Sequence, residues 1–173
     1  MKRKIIKENN LNSNYEPDKI LIMGVGNLIM GDEGVGIHVI KELEKSPMPD
    51  NVDLLDGGTG GFHLLSYLQN YPLVIMIDAT LDQNPEGTVK TIKPKFASDF
   101  PKALSAHDIG LKDLLEAVTL LDKLPEMYLI TISIKDLSRM SVELSSIISE
   151  TIPAVIKELR SILAYLSHQE KEN

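Results

Sequence analysis

Apolar and polar positions alternate along this chain in a way that predicts strands interleaved with helices. Five short apolar runs have the composition of strands: residues 20–23, 52–55, 73–77, 88–92 and 127–134. The run at 73–77 is continuous, which is typical of a strand buried on both faces. Between the runs, apolar residues return every three or four positions. The pattern predicts an α/β fold in three layers, with a mostly parallel sheet covered by helices on both faces.

Four helical segments are predicted from this spacing. One of them follows His107-Asp108, with Asp108 as its N-cap and apolar positions at Leu111, Leu114, Leu115, Val118 and Leu121. The first opens at Asp32-Glu33-Gly34, and the second covers residues 62–69 with Phe62, Leu65 and Leu68 on its inner side. From residue 141 to 163 the apolar period is helical again, and Pro153 must lie in a first turn or make a kink. We therefore divide the chain into a polar extension (1–18), one domain (19–167) and a polar tail (168–173).

Composition removes several classes of function. A chain of 173 residues with a net charge of -7 lacks the basic face of a nucleic-acid-binding protein. It contains no cysteine, which excludes disulfides, thiolate metal sites and a cysteine nucleophile. No apolar run approaches the ~20 residues of a membrane-spanning helix. These features predict a cytoplasmic enzyme or binding protein that acts as a monomer.

The glycine loop after the first strand invites a dinucleotide-binding interpretation. Gly24 and Gly26 match the first two glycines of G-x-G-x-x-G, but Ile29 stands at the third. Asp32 and Glu33 at the following helix start would repel a pyrophosphate. A cation suits this position better, and a nucleotide-binding module is the lesser alternative.

Two acidic side chains and one imidazole follow three separate predicted segments. Glu33, Asp78 and His107 lie after separate segments that lead to the carboxyl edge of the sheet. Two carboxylates and one imidazole can bind a divalent metal and leave coordination positions open. Each residue also has a plain structural alternative, such as helix capping or a dipole contact. Their common placement at one edge favours a functional site.

Four glycines in six residues follow the second strand, in the sequence DGGTGG from Asp56 to Gly61. Such a loop lets a backbone approach a ligand or another chain closely. We expect Asp56, Gly57, Gly58 and Thr59 to contact a substrate, with Asp56 accepting a hydrogen bond or orienting water.

The remaining candidates favour structural roles. Asp32 is expected to cap its helix. His38 falls away from the apolar centre of its helix and is expected to face solvent, His63 is expected at the surface, and His168 lies in the tail.

Four motifs together resemble the hydrogenase maturation proteases, which trim the large subunit of nickel–iron hydrogenases. They are GVGNLIMGDEGVG, DGGTGG, the strand end IDA and SAHDIGLKDLL, in the family's order over residues 20–165. The resemblance implies a five-stranded α/β fold and a nickel-contacting trio of Glu33, Asp78 and His107. It also implies that Asp56 matters for activity.

The resemblance further implies the reaction. The family removes a short carboxyl-terminal extension from a nickel–iron hydrogenase large-subunit precursor after nickel insertion, and the nickel is carried by the substrate. Other divalent metals are expected to substitute in vitro. Water activated by the metal, or by a carboxylate base such as Glu33, Asp78 or Asp56, could attack the peptide bond. A chaperone that binds the nickel subunit without cleaving it is a further alternative.

Overall fold

The computed structural model of this chain describes residues 18–94, 99, 125–137 and 140–169. Five strands form one sheet: β1 (Ile20–Gly24), β2 (Val52–Asp56), β3 (Leu73–Thr80), β4 (Val89–Ile92) and β5 (Glu126–Ser133). The helices are α1 (Val35–Leu43), α2 (Leu65–Asn70), α3 (Ser146–Ser149) and α4 (Ile152–Gln169). Turns of 3-10 helix at Gly31–Gly34 and Phe62–Leu64 precede α1 and α2. His107 and the predicted helix after it lie outside the described residues.

The strand order is β2-β1-β3-β5-β4, and every pair except β4–β5 is parallel. The chain leaves β1 toward β2 on one side of it and reaches β3 on the other. The sheet therefore has a topological switch point at the carboxyl ends of β1 and β3, where open α/β sheets bind ligands. The predicted five-stranded, mostly parallel sheet is confirmed.

Alternate residues of each strand face two separate cores. Ile20 and Ile22 of β1 belong to the core beneath α1 and α4, whereas Leu21 and Met23 belong to the core beneath α2. This period of two places one helical layer on each face of the sheet. The predicted three-layer arrangement is confirmed.

Two central boundaries differ from the prediction. The third strand was expected to stop before Asp78, but β3 continues to Thr80 because β5 offers pairing partners as far as Ser133. The helix expected from residue 141 begins only at Ser146, and the hydroxyl of Ser145 caps it by accepting from the amide of Ile148 at 3.3 Å. Residues 140–144 are not helical: Ser141 forms an isolated β-bridge with Met30, and the chain bends at Val142 and Glu143.

The last helix agrees with its predicted period. Val155, Leu159 and Ile162 are buried, and Pro153 lies in the first turn of α4, where a missing amide hydrogen costs no helical bond. The helix includes His168 and Gln169, so it runs two residues into the predicted tail. No helix in the described part of the chain is long and apolar enough to span a membrane.

Candidate active site at the carboxyl edge of the sheet

The 3-10 turn Gly31–Gly34 carries one of the two acidic side chains at the switch point. This turn packs against β3, and Glu33 within it has no solvent exposure (0%). Gly26 permits the close packing beneath it: a Cβ atom there would lie 2.0 Å from the carbonyl oxygen of Glu33. Gly26 also has a φ of 146°, a conformation that side chains disfavour. The glycine loop therefore seats Glu33 in the protein rather than in solvent.

Asp78 supplies the second buried carboxylate, from the central strand β3. It pairs in register with Thr131 of β5 and has an exposure of 0%. Its Oδ1 accepts a hydrogen bond from the amide of Ala79 at 2.8 Å. Burying a carboxylate is costly unless other groups compensate its charge. Two such residues at one edge, 45 positions apart in sequence, are a poor choice for stability alone, so this edge is the candidate site.

The third predicted ligand, His107, lies outside the described residues. Among residues 18–94, 99, 125–137 and 140–169, no group of three histidine, aspartate or glutamate side chains is arranged to hold a metal. The trio of Glu33, Asp78 and His107 therefore stays a prediction. Glu33 and Asp78 carry carboxylate oxygens, a type of donor that divalent cations accept.

The DGGTGG loop lies beside this pair because Asp56 ends β2 in register with Gly24 of β1. Asp56 is exposed, and its Oδ1 accepts from the amide of Gly58 at 2.9 Å. Gly58 has a φ of 54°, and a Cβ atom there would meet nothing within 4 Å. The loop is therefore held by its own aspartate and opens toward solvent, with Thr59 exposed at its tip.

The loop amides already have partners within the protein. The amide of Gly26 donates to the carbonyl of Gly58 at 2.8 Å, and the amide of Val25 donates to that of Ile77 at 2.9 Å. A phosphate-binding loop must direct such amides at its ligand. Their internal use argues against the nucleotide-binding alternative.

Two expectations for nearby polar residues were wrong. Asp32 makes no cap to its own turn or to α1; its Oδ1 accepts from the amide of Ser145 at 2.6 Å. His38 is half-buried rather than solvent-facing, and its Nε2 lies 3.2 Å from the carbonyl oxygen of Val142. Both partners belong to the non-helical segment 140–145, which approaches the site from a distant part of the chain.

Burial and the positive charge of Lys41 lower the pKa of His38, against the opposing effect of the Val142 carbonyl. Because a carbonyl oxygen only accepts, Nε2 carries the proton in the neutral ring. His63 is exposed, as expected.

Sequence reasoning missed segment 140–145 altogether. The helical period was predicted to start at residue 141, with Leu144 as its first apolar position. The available signal was Ser145, since a serine followed by an apolar helical run is typical of an N-cap. An N-cap at Ser145 would have predicted that the residues before it are not helical.

Comparison with known proteins identifies the family. The sequence pattern of the hydrogenase maturation proteases matches residues 37–162. A hydrogenase expression/formation protein HupD from Rhizobium leguminosarum bv. viciae is 32% identical over 152 residues, covering 84% of this chain and 74% of its own. The hydrogenase 2 maturation protease of Escherichia coli is 34% identical over 111 residues. The aligned part covers 62% of this chain and 68% of that protein. This chain belongs to the hydrogenase maturation protease family.

Solved structures show the same fold. The hydrogenase maturating endopeptidase HybD from E. coli superimposes with a TM-score of 0.77 at 28% identity, covering 85% of this chain and 93% of that one. The curated relatives are in part longer: the chain spans between about half and three quarters of their length.

Proposed function

We propose that this chain is an endopeptidase that removes the carboxyl-terminal extension of a nickel–iron hydrogenase large-subunit precursor after nickel insertion. The reaction is a hydrolysis, in which water attacks the scissile carbonyl and the new amine takes a proton as the C–N bond breaks. Family membership supports the reaction class and the kind of partner.

One observation carries the proposal: Glu33 and Asp78 are both fully buried at the switch point of the sheet. Buried carboxylates there can contact a cation that arrives with the substrate, and His107 is proposed as the third ligand. The chain brings no thiolate, so such a site would hold a free ion only weakly. Nickel bound to the precursor would then act as the feature that the enzyme recognises.

The Asp56 to Gly61 loop is proposed to receive the substrate chain beside the ion. Gly57 is buried against β1, whereas Thr59 is exposed, so the loop presents its tip and its backbone. Asp56 shapes that loop through its bond to the amide of Gly58. An extended peptide laid across the loop would lie next to both carboxylates.

Incubation of the metal-free protein with nickel-loaded and empty precursors tests this function. Mass spectrometry of both products should show one cut in the loaded precursor only, with a chelator present that cannot strip nickel from it. His107→Ala should reduce binding and cleavage of the loaded precursor without unfolding the protein.

Each outcome separates the alternatives. Equal cutting of the empty precursor would remove nickel as the recognition signal. Tight binding of the loaded precursor without any cut would favour a chaperone that does not cleave. Binding of NAD measured by calorimetry, with no interaction with the precursor, would favour the nucleotide-binding module.

A further inference from the structure

The turn that carries Glu33 is tied to a distant segment of the chain. The amide of Gly31 donates to the carbonyl of Ser141 at 2.6 Å, and the amide of Ser141 donates to the carbonyl of Ile29 at 3.0 Å. Inside the turn, the amide of Glu33 lies 3.4 Å from the carbonyl oxygen of Met30, which is long for a hydrogen bond. Contacts with the distant segment therefore contribute more to the position of the turn than this internal bond does.

Asp32 adds a side-chain contact to these backbone bonds. Its Oδ1 accepts from the amide of Ser145, 113 positions further along the chain, at 2.6 Å. Such a bond to a carboxylate is roughly twice as strong as one between neutral groups. Asp32 is half-buried and directly precedes Glu33, whose side chain is fully buried. A shift of the Asp32 backbone would therefore displace Glu33 with it.

The usual role of an aspartate in a first turn is local, as the cap of its own helix. Among the described residues, neither the turn nor α1 has a side-chain cap. Asp32 instead joins the turn to Ser145, the residue that caps α3. Its side chain thus fixes where the turn lies relative to the rest of the protein.

The turn is also packed closely against the glycine loop after β1. A Cβ atom on Gly34 would lie 3.2 Å from the carbonyl oxygen of Asn27 and from the Cα atom of Leu28. Neither these contacts nor the backbone bonds to Ser141 involve the side chain of Asp32. They would stay in place without that side chain, so we expect its loss to shift Glu33 while the protein stays folded.

We propose that Asp32 is a positioning residue for Glu33. By holding the amide of Ser145, it fixes the turn so that the Glu33 carboxylate meets the substrate in the geometry that cleavage requires. This inference rests on the proposed function and adds to the site a residue that acts through its neighbour. A misplacement of about 1 Å can cost on the order of 100-fold in rate, so a single hydrogen bond behind Glu33 is enough to matter. The property required of Asp32 is its acceptor oxygen, not its charge.

Four variants separate this hydrogen bond from the other properties of its two partners. Asp32→Ala removes the acceptor, and Ser145→Pro removes the donor because proline has no amide hydrogen. Ser145 has a φ of -62°, which proline adopts without strain. Asp32→Asn keeps an acceptor oxygen without the charge. Ser145→Ala keeps the amide and loses only the hydroxyl that caps α3.

With nickel-loaded precursor, we expect Asp32→Ala and Ser145→Pro each to lower kcat about tenfold and to change KM by less than about threefold. This loss is smaller than removal of the Glu33 carboxylate would cause, since the carboxylate is displaced and not deleted. Asp32→Asn and Ser145→Ala should keep kcat within about threefold of wild type. The double variant Asp32→Ala, Ser145→Pro should be no slower than either single variant, because both changes remove the same bond.

Thr91→Val is the matched control. It removes another long-range side-chain contact, from the hydroxyl of Thr91 to Glu158 at 2.9 Å, which joins β4 to α4. Both kinetic constants should stay within about twofold. An equal loss of kcat in this control would show that any lost tie impairs cleavage, and would overturn the specific role of Asp32.

Other outcomes would also overturn the inference. Loss of kcat in Asp32→Asn as large as in Asp32→Ala would assign the charge a direct part in the reaction. A fall in unfolding free energy with kcat unchanged in Asp32→Ala would leave Asp32 a structural role only. If wild-type protein does not cut the precursor at all, the proposed function fails. Amide hydrogen exchange then decides the tie separately: exchange at Gly31 should quicken about tenfold in Asp32→Ala and stay unchanged in Asp32→Asn, and equal exchange in both would refute it.

Discussion

Acidic side chains at the two ends of the sheet differ in their solvent exposure and in their surroundings. At the amino end, Asp53 of β2 contacts Lys19 at 3.4 Å and accepts from the hydroxyl of Tyr71 at 2.8 Å. Glu126 at the start of β5 pairs with Lys93 at 2.7 Å. At the carboxyl end, Glu33 and Asp78 are buried completely, beside glycine-rich loops.

At the amino end of the sheet, acidic and basic side chains form ion pairs with one another, as expected for charges with a structural role. The hydrogen bond to Glu126 raises the pKa of Lys93, which also lies 5.0 Å from the centre of the Tyr128 ring. A cavity of about 280 Å³ at the amino end of the sheet is lined by charged residues of both signs, among them Lys19, Lys93 and Glu126. The carboxyl end instead concentrates negative side chains where an incoming cation would be stabilised. This contrast supports the proposal that catalysis takes place at the carboxyl end.

Neutral isosteres of the buried acids should have the largest effect. We expect Glu33→Gln and Asp78→Asn each to lower kcat/KM for the loaded precursor by at least about 100-fold, the scale of losing a catalytic acid, base or charge. Unfolding free energy should fall only modestly, because each substitution keeps the size and shape of the buried side chain. Cleavage assays and urea unfolding measure the two quantities.

Glu126→Gln is the matched control at the amino end. It should leave kcat/KM within about twofold and cost less than about 1 kcal/mol, since the partners are about half exposed to solvent. Equal loss of cleavage at both ends would end the functional distinction between them.

Gly58→Val should have the next largest effect. At a φ of 54° a β-branched residue is strained by about 1–2 kcal/mol, and the open space around the Cβ position rules out a clash as the cause. We expect cleavage to fall about tenfold as the Asp56–Gly61 loop rearranges, with the sheet intact by circular dichroism.

Gly58→Asn separates conformation from size, because asparagine tolerates the left-handed region. It should retain most of the cleavage activity. Full activity in Gly58→Val would show that the loop does not receive the substrate.

A change of pH should have the smallest effect and act at the carboxyl end through His38. Its pKa lies below the ordinary 6.5 because burial and Lys41 disfavour the charged ring. Below about pH 6.5 the unfolded chain therefore binds more protons at this residue than the folded protein does. This contribution to stability is complete above pH 6.5 and decreases as the pH falls toward the folded pKa.

His38→Gln keeps a donor toward Val142 and cannot titrate. Urea unfolding at pH 7.5 and 5.5 should therefore show a smaller loss of stability for the variant than for wild type. Identical losses would mean that the ring of His38 is not held neutral by its surroundings.

Much of the candidate site could be predicted from the sequence before the fold was known. The motifs that carry Glu33, Asp78 and Asp56 lie at the ends of apolar runs, and the ends of parallel strands share one edge. The glycines at Gly26 and Gly58 are also local signals, since each serves a backbone conformation. What failed was the assignment of polar residues whose partners are distant: Asp32 was expected to cap its own helix and instead holds the amide of Ser145.

The sequence alone determined the class of fold, the succession of its elements and the acidic carboxyl edge, because each depends on short-range patterns of apolar residues, glycines and acids. Only the tertiary structure decided that β3 runs through Asp78, that residues 140–145 are not helical and that Ser141 pairs with Met30. In each case the deciding hydrogen bonds come from residues far away in the chain: β5 pairs with β3 from more than 50 positions away, and Ser141 with Ile29 from more than 100. A backbone segment with weak local preference takes the conformation in which its amides and carbonyls find such partners.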